Sequence, residues 1–354
     1  MRRMDVAVLG ATGMIGQRFI QLLEGHPFFD VAGLYASERS EGKKVAQVLK
    51  IRDHEFNRET LETGIRQIDV HEIARNCRVA FSGLPADIAG GIEQDLAEAG
   101  VAVFSNASSH RMRDDVPLLI PEVNPGHLEL VRSQETFPGG GFIVTNANCS
   151  TTGIAPPLKA LDDAFGLEIV CVSTYQAVSG AGYPGVPSLD ILGNILPFIG
   201  GEEEKMEREI LKMLGTLENG EVRLADFDFL ANCARVPVLD GHLESMILTF
   251  EAAPELHEIE SALSGFRAEP QELELPTAPV RPIIVRQEEN RPQPVLDAYA
   301  GEPERARGMA VTVGRLRKKD RYLKLFALSH NTLRGGAGGS VLNAELAAAR
   351  GFLR

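Results

Sequence analysis

The sequence predicts an α/β protein in two parts: an N-terminal doubly wound parallel sheet, then an α+β domain with a mixed sheet. Roughly the first 150 residues alternate short apolar runs with stretches of helical spacing, which is typical of a doubly wound sheet. After residue 149 the predicted strands mix polar and apolar residues, which indicates a sheet open on one face. A length of 354 residues suits two domains of roughly 150 to 200 residues each.

The first elements along the chain are a strand, a glycine turn, a helix and a second strand. An apolar run covers residues 5–9, helical spacing follows through residues 17–24, and residues 31–36 form the next apolar run. This succession is the βαβ unit of a parallel sheet. The further elements predicted for this domain are strands over 79–82, 101–105 and 142–145 and a helix over 86–99.

The second part of the chain predicts a less regular set of elements. A helix over 154–165 runs back from the last strand of the first domain, and strands are expected over 168–177 and 244–251. The other predicted features are a long loop over 180–201, a charged helix over 202–214, irregular surface segments over 268–307 and a final helix over 340–352.

Charge and cysteine content exclude several classes of function. The net charge of −13 argues against non-specific nucleic-acid binding, because a phosphate backbone would be repelled. No stretch approaches the ~20 apolar residues that a membrane span needs. The four cysteines lie far apart without the spacing of a zinc site, so we expect reduced thiols, no metal and a cytoplasmic protein.

The glycine turn after the first strand is the first candidate binding site. Gly10, Gly13 and Gly16 are spaced three apart between a strand and a helix, where glycine allows a tight turn and close backbone approach. The following helix N-terminus offers free N–H groups to a pyrophosphate. Such turns also occur in other βα connections, but in this context we predict a Rossmann-type dinucleotide site.

The end of the second strand predicts which dinucleotide is bound. An NAD site usually places an acidic residue there, for the ribose 2′-hydroxyl. This chain has Ser37, followed by Glu38, Arg39 and Ser40. Hydroxyls and an arginine suit a 2′-phosphate, which favours NADP. The alternative is that Arg39 is a solvated surface charge and Glu38 takes the NAD role.

Cys149 is the candidate nucleophile. It lies directly after a predicted strand and before a predicted helix, with Asn148 and Ser150 beside it. A thiol at a helix N-terminus has a lowered pKa, so we expect thiolate near neutral pH. In a dinucleotide-binding enzyme a thiolate can attack an aldehyde and hold the oxidised product as a thioester.

Thioester chemistry of this kind needs a general acid/base, and His242 is the candidate. It lies on a tight turn before a strand, seven positions after Arg235. The histidines in polar or charged surroundings, which we expect on the surface, are His26, His54, His71, His127 and His257.

Motifs along most of the chain resemble the aspartate-semialdehyde dehydrogenase family. The most specific are Asn-Cys-Ser-Thr-Thr at 148–152, Gln176 in Tyr-Gln-Ala-Val-Ser-Gly, and Arg-Val-Pro-Val-x-x-Gly-His at 235–242. Further similar segments are 10–16, 106–111, 201–206 and 331–339. Their joint occurrence in this order is specific, and the Glu-Glu-Glu-Lys-Met segment and glycine-rich end are most similar to the archaeal and fungal branch.

The resemblance implies roles for the reacting residues. Cys149 would be the nucleophile and His242 the general acid/base, Gln176 would position the acyl intermediate, and Asn148 would lie beside the nucleophile. Arg235 would bind the substrate carboxylate, where a guanidinium can form two parallel hydrogen bonds.

Other implied roles concern the substrate amine, phosphate and the cofactor. Glu202 would face the amino group, although its neighbours Glu203 and Glu204 leave the register open, and Arg111 and Lys205 would bind phosphate. The residues implied for the cofactor are Gly10, Thr12, Gly13, Met14, Ile15, Ser37, Arg39, Ser40, Ser82, Gly83, Leu84, Ser179, Gly180 and Asn331.

The implied reaction is the reversible reduction of L-aspartyl 4-phosphate by NADPH to L-aspartate 4-semialdehyde and phosphate, a step in lysine, threonine and methionine synthesis. The nearest alternative is malonyl-CoA reduction at the same cysteine and histidine. N-acetyl-glutamyl-phosphate reduction fits the Cys149 and Arg235–His242 segments less well. An alternative of another class is a non-catalytic Rossmann protein that senses NADP.

The resemblance also implies a division into domains and an assembly. The NADP-binding domain would cover residues 1–148 and be completed by 333–354, and residues 149–332 would form the catalytic and dimerisation domain. We expect a homodimer or homotetramer, with a small-molecule substrate and inorganic phosphate as partners.

Overall fold

The computed structural model describes residues 3–353, and within them the N-terminal sheet has six parallel strands. The strands are β1 (Met4–Leu9), β2 (Phe29–Ala36), β3 (Ile65–Gln67), β4 (Val79–Ser82), β5 (Ala102–Ser105) and β6 (Phe142–Thr145). Their order is β3-β2-β1-β4-β5-β6, so the direction of winding reverses between β1 and β4. Ligands of such sheets bind in the crevice at this switch point, beyond the carboxyl ends of the strands.

Helices cover both faces of this sheet. Those between its strands are α1 (Met14–Leu23), α2 (Val45–Val48), α3 (Arg58–Glu62), α4 (Val70–Asn76) and α5 (Ala86–Glu98), with 3₁₀ turns at Glu38–Ser40, Pro125–Ser133 and Phe137–Gly139. The predicted elements of this half agree with the structure to within three residues at each end, because strong apolar periodicity marks them.

The second domain has a mixed sheet, in agreement with the predicted fold class. Its strands are β7 (Leu167–Gln176), β8 (Thr216–Glu218), β9 (Glu221–Arg223), β10 (Asp228–Arg235), β11 (His242–Phe250), β12 (Ile283–Arg286), β13 (Val311–Lys319) and β14 (Tyr322–Ser329), of which β8 and β9 form a separate hairpin. The large sheet has the order β10-β7-β11-β14-β13-β12, with parallel pairs at its two edges and antiparallel pairs between them.

The helices of this second half follow β6. They are α6 (Cys149–Phe165), α7 (Ser188–Ile191), α8 (Glu202–Met213), α9 (Leu256–Gly265), α10 (Glu269–Glu272), α11 (Pro294–Asp297) and α12 (Gly338–Ala349), with 3₁₀ turns at Val178–Ala181 and Glu304–Ala306 and a π-helical turn at Leu333–Ala337. Helix α12 returns to the first sheet, where Val341 and Leu342 share one apolar core with Val6 and Phe104.

One face of the large mixed sheet is covered and the other is open. Apolar side chains of α6, such as Ile154 and Leu158, pack with Val172 and Leu325 of the sheet. Large apolar side chains of the opposite face remain exposed in the isolated chain: Tyr175, Leu230, Ile247 and Tyr322. Among residues 3–353, no helix is both long and apolar enough to cross a membrane.

The structure corrects two sequence predictions in the second half and adds strands that were not predicted. The helix predicted over 154–165 begins at Cys149, since the Asn148 side chain accepts hydrogen bonds from the N–H groups of Ser150 and Thr151 and so caps it. The segment 268–307 is not wholly irregular surface, because it supplies α10, β12 and α11. Strands β13 and β14 had no prediction at all.

Two histidines expected on the surface are buried. His26 is fully buried with Nε2 2.8 Å from Glu345, and His127 is 3% exposed with Nε2 3.0 Å from the carbonyl of Gly215. Both partners lie far along the chain, so polar sequence neighbours were a poor guide to burial.

Candidate active site

The glycine turn between β1 and α1 is held by backbone contacts that admit no side chain. Gly10 has φ +74°, and a Cβ there would lie 2.6 Å from the carbonyl oxygen of Gly83. A Cβ on Gly16 would lie 2.1 Å from the carbonyl oxygen of Gly10. Gly13 is the N-cap of α1, and no side chain among residues 3–353 caps it, so the first N–H groups of the helix remain available to an anion.

A cavity of about 830 Å³ extends from this turn to Cys149. Most of the residues proposed for the cofactor line it: Gly10, Thr12, Gly13, Met14, Ile15, Ser37, Gly83, Leu84, Ser179, Gly180 and Asn331. The other three lie outside the lining. Ser82 is fully buried, whereas Arg39 is exposed and Ser40 is partly exposed in the 3₁₀ turn that follows Ser37.

Cys149 is the first residue of α6, and its sulfur faces His242. The Cys149 Sγ and His242 Nε2 atoms are 3.2 Å apart, although the two residues are 93 positions apart in the chain. His242 is fully buried behind the sulfur at the start of β11. Its Nδ1 accepts a hydrogen bond of 3.0 Å from the backbone N–H of Ala177, so the neutral imidazole carries its hydrogen on Nε2, toward the sulfur.

The protonation state of this pair differs from the sequence prediction. Burial raises the pKa of the Cys149 thiol to about 12, and the negative charge of Glu202 adds to the rise. Burial and the charge of Arg235 lower the pKa of His242 well below its usual value. Both shifts favour the uncharged forms, a thiol and a neutral imidazole, which is opposite to the direction that the N-terminus of α6 predicts.

Glu202 is the glutamate of this run that contacts two of the residues implied for the reaction, and its contact with the substrate stays a prediction. Its Oε1 accepts hydrogen bonds from Asn148 Nδ2 at 2.9 Å and from Gln176 Nε2 at 3.0 Å. Glu203 instead accepts from the backbone N–H of Cys233, and Glu204 is exposed. The first turn of α8 thus places one carboxylate beside the nucleophile.

Arg235 lies at the end of β10 on the same cavity. Its Nη1 donates to the carbonyl oxygen of Ala177 at 2.9 Å, and the residue is 6% exposed. Gly180 packs closely against it, since a Cβ there would lie 2.8 Å from Arg235 Nη1 and 3.1 Å from His242 Cε1. A fixed guanidinium next to the sulfur suits recognition of a substrate carboxylate.

Arg111 and Lys205 bring two more cations to the cavity. Arg111 Nη1 donates to Glu209 Oε1 at 2.8 Å, and its Nη2 donates to the carbonyl oxygen of Asn106 at 2.8 Å. The Nε of Arg111 is buried and has no hydrogen-bond partner within residues 3–353. An unpartnered buried N–H is costly, and an anion bound in the cavity would satisfy it.

Several residues that shape this site were missed from the sequence. Gly335 packs on the nucleophile so closely that a Cβ there would lie 2.8 Å from Cys149 Cα. Asn331 was expected at the cofactor, but its second role was not foreseen: its Oδ1 accepts from the N–H of Gly241 and its Nδ2 donates to Ser179 Oγ, so it braces the turn before His242. The spacing of seven from Glu202 to Glu209 was the available signal for Glu209, because it places both on one face of α8.

Two family models match the chain, one to each domain. Residues 5–131 match the NAD binding domain of semialdehyde dehydrogenase, and residues 158–334 match its dimerisation domain. An aspartate-semialdehyde dehydrogenase of Methanothermobacter thermautotrophicus is 48% identical over 347 residues, covering 97% of this chain and 98% of the relative. The enzyme of that name from Schizosaccharomyces pombe is 43% identical, covering 98% and 99%.

The chain belongs to the aspartate-semialdehyde dehydrogenase family. A crystal structure of the Candida albicans family member with NADP superposes with a TM-score of 0.88 at 38% identity, covering 99% of both chains. Aspartate semialdehyde dehydrogenase II of Vibrio cholerae gives a TM-score of 0.77 at 27% identity, covering 98% of this chain and 99% of that one. Similar relatives from archaea and fungi confirm the predicted branch of the family.

Proposed function

We propose that this chain is an aspartate-semialdehyde dehydrogenase that uses NADPH to reduce L-aspartyl 4-phosphate reversibly to L-aspartate 4-semialdehyde, with release of phosphate. The observation that carries the proposal is the Cys149–His242 pair at 3.2 Å, which opens on a cavity that also contains Arg235, Glu202 and Arg111. The cavity therefore brings together a nucleophile, a group that exchanges protons with it, and a partner for each charged group of the substrate.

The glycine turn fits a dinucleotide. Gly10 and Gly16 leave no room for a Cβ because the backbone of the turn packs so closely, and the uncapped N-terminus of α1 would hold the diphosphate. Ser37 lies on the cavity with Arg39 and Ser40 next to it, which favours the 2′-phosphate of NADP. When bound, this cofactor supplies the hydride that reduces a thioester.

Cys149 carries the acyl group. Its sulfur bonds to the acyl carbon of the substrate as the carbon–oxygen bond to phosphate breaks, which leaves a thioester and free phosphate. The thiol proton must leave first, and His242 Nε2 is the proton-exchanging group beside the sulfur. Nε2 already carries the hydrogen of the neutral ring, so it accepts the thiol proton only after that hydrogen has moved to Nδ1 and the contact with the Ala177 N–H has broken. The ring is then an imidazolium.

The remaining side chains orient the substrate. Arg235 binds the α-carboxylate, and Glu202 receives the amino group while Asn148 and Gln176 hold its carboxylate in place. Arg111 and Lys205 bind the phosphate that leaves or attacks. Orientation of this kind lowers the activation free energy, because the reactants are already positioned before bonds form or break.

The decisive test separates the possible acyl donors. Purified protein is given L-aspartate 4-semialdehyde and NADP with and without phosphate, then the same with NAD. NADPH formation that requires phosphate and prefers NADP is the expected result. Oxidation of NADPH by malonyl-CoA, without phosphate-dependent use of the semialdehyde, would favour the related reductase. Binding of NADP without turnover of either compound would favour the non-catalytic alternative.

The proposal also covers the oligomeric state, the domain boundaries and the cellular compartment of the enzyme. The exposed apolar face at Tyr175, Leu230, Ile247 and Tyr322 would be covered by a second copy of the chain, which gives a homodimer or a larger homo-oligomer. Residues 1–148 with 333–354 would form the NADP-binding domain and 149–332 the catalytic and dimerisation domain. The four free thiols suit a reducing cytoplasm, where the product would feed lysine, threonine and methionine synthesis.

A further inference from the structure

One face of helix α8 runs from the cavity into the core of the second domain. Glu202, Lys205, Glu209 and Lys212 share this face because their spacings are three, four and three. Glu202 and Lys205 line the cavity, whereas Glu209 and Lys212 are 2% and 4% exposed. Charged side chains are rarely buried unless they are paired, so the deeper two need an explanation.

Glu209 joins two elements of the active site through its two carboxylate oxygens. Its Oε1 accepts from Arg111 Nη1 at 2.8 Å, and its Oε2 accepts from the backbone N–H of Asn148 at 2.6 Å. Asn148 immediately precedes the nucleophile and caps its helix. A single buried carboxylate therefore connects a proposed phosphate-binding residue with the start of the catalytic helix.

Lys212 holds the other side of the same element. Its Nζ donates to the carbonyl oxygens of Arg111 at 2.8 Å, Arg113 at 2.7 Å and Val116 at 3.1 Å. These three contacts fix the backbone that carries the Arg111 side chain. Glu209 is thus left to set the direction of the guanidinium rather than the path of the loop.

We propose that Glu209 is a positioning residue that holds the phosphate-binding Arg111 and the backbone of Asn148 in one fixed relation. With one N–H of Nη1 on Glu209 and one of Nη2 on the Asn106 carbonyl, the remaining N–H groups of the Arg111 guanidinium are left for an anion. Phosphate bound there would be presented to the thioester on Cys149 from a set direction. The inference rests on the proposed function, because it assumes that phosphate enters this cavity.

The test compares Glu209→Gln with Arg111→Ala, and uses Glu204→Gln as the matched control on the exposed side of α8. For each variant, kcat and KM for phosphate are measured, together with the rate of the NADPH burst that the semialdehyde produces before phosphate is added. We expect Glu209→Gln to lower kcat/KM for phosphate by about 100-fold, as misplacement of reacting groups does, and also to slow the burst. Arg111→Ala should impair phosphate use and leave the burst near the wild-type rate.

The double variant Arg111→Ala/Glu209→Gln tests whether Glu209 acts through Arg111. Its KM for phosphate should be no higher than that of Arg111→Ala alone. Glu209→Asp is the substitute if Glu209→Gln does not fold. It keeps the charge but is one methylene too short to reach both Arg111 and the Asn148 N–H, so it should also lower kcat/KM for phosphate and slow the burst. A purely structural glutamate would lower the melting temperature and leave the burst rate and the KM for phosphate unchanged, which would overturn the inference.

The outcomes also separate this inference from the proposed function. Wild-type protein that forms NADPH regardless of phosphate would reject the proposed function. If wild-type activity depends on phosphate but Glu209→Gln changes only the kcat/KM for phosphate or only the burst rate, the link between Arg111 and Asn148 is rejected. Glu204→Gln removes the same charge from the same helix and should match wild type throughout.

Discussion

The two ends of the active-site cavity are built in different ways. The cofactor end is made from backbone: Gly10, Gly13 and Gly16 lie within one short turn, and their lack of side chains is what the site requires. The reaction end is made from side chains that meet from distant places, since Cys149 and His242 are 93 positions apart and Asn148 and Glu202 are 54 apart. A local motif is therefore sufficient for the first end, and only the complete fold assembles the second.

The largest expected effect removes the reaction end and leaves the cofactor end intact. Cys149→Ala should lower phosphate-dependent NADPH formation by about 10⁴-fold or more, because the thioester has no other carrier. NADP affinity, measured by fluorescence titration, should remain near that of wild type. Cys233→Ala, which removes a buried thiol elsewhere in the second domain, serves as the control. Retained turnover in Cys149→Ala would contradict the assignment of the nucleophile.

A smaller effect is expected at the substrate carboxylate. Arg235→Lys keeps the charge but replaces a planar fork with a single ammonium, so one of two parallel hydrogen bonds is lost. We expect kcat/KM for the semialdehyde to fall by about 30-fold, which corresponds to about 2 kcal/mol. The burst assay should show that the loss lies in acylation, and KM for NADP should not change.

The cofactor end should respond to a single methyl group. Gly10→Ala places a Cβ against the Gly83 carbonyl at a residue with φ +74°, a strain of about 1–3 kcal/mol. We expect KM for NADP to rise by roughly tenfold and the melting temperature to fall. Gly91→Ala on exposed α5, where an added Cβ meets no atom of residues 3–353 within 4 Å, should leave both unchanged. Equal behaviour of the two variants would show that the turn tolerates side chains.

The smallest effect concerns the protonation of the nucleophile. Because the charge of Glu202 helps to raise the pKa of Cys149, Glu202→Gln should lower that pKa and increase the thiolate fraction at a given pH. Alkylation of Cys149 by iodoacetamide, followed from pH 6 to 10, should therefore be a few-fold faster in the variant, tenfold for each unit of pKa. The rate of alkylation of the wild-type protein should still be increasing with pH at pH 10. A plateau below pH 8 would instead indicate a standing thiolate.

The contrast between local motifs and distant side chains also explains which features could be predicted from the sequence. The glycine turn and five of the six strands of the first sheet could be predicted, because apolar periodicity and glycine or proline breaks are local signals, whereas the short strand β3 and helices α2, α3 and α4 had no prediction. The pairing of Cys149 with His242 was implied by family motifs rather than by spacing. Glu202 could not be distinguished from its two neighbours until the rotation of α8 was known.

The missed features depend on partners distant in the chain. His26 is buried because Glu345 meets it, and Glu209 matters because Arg111 and Asn148 converge on it. The surroundings of Cys149 raise the pKa of its thiol, opposite to the direction predicted, since a helix N-terminus is visible in sequence but the burial and the nearby Glu202 charge are not. Strand β12 was missed because its short apolar run lies among prolines and charged residues.

The contact between Gly335 and Cys149 has a consequence for how the enzyme is made. Residue 149 is synthesised long before residue 335, so the nucleophile leaves the ribosome well before the backbone that packs against it. A nascent chain that stops before residue 335 carries the thiol without its final neighbour. The site around the nucleophile therefore closes only after Gly335 has been synthesised and has folded back onto Cys149.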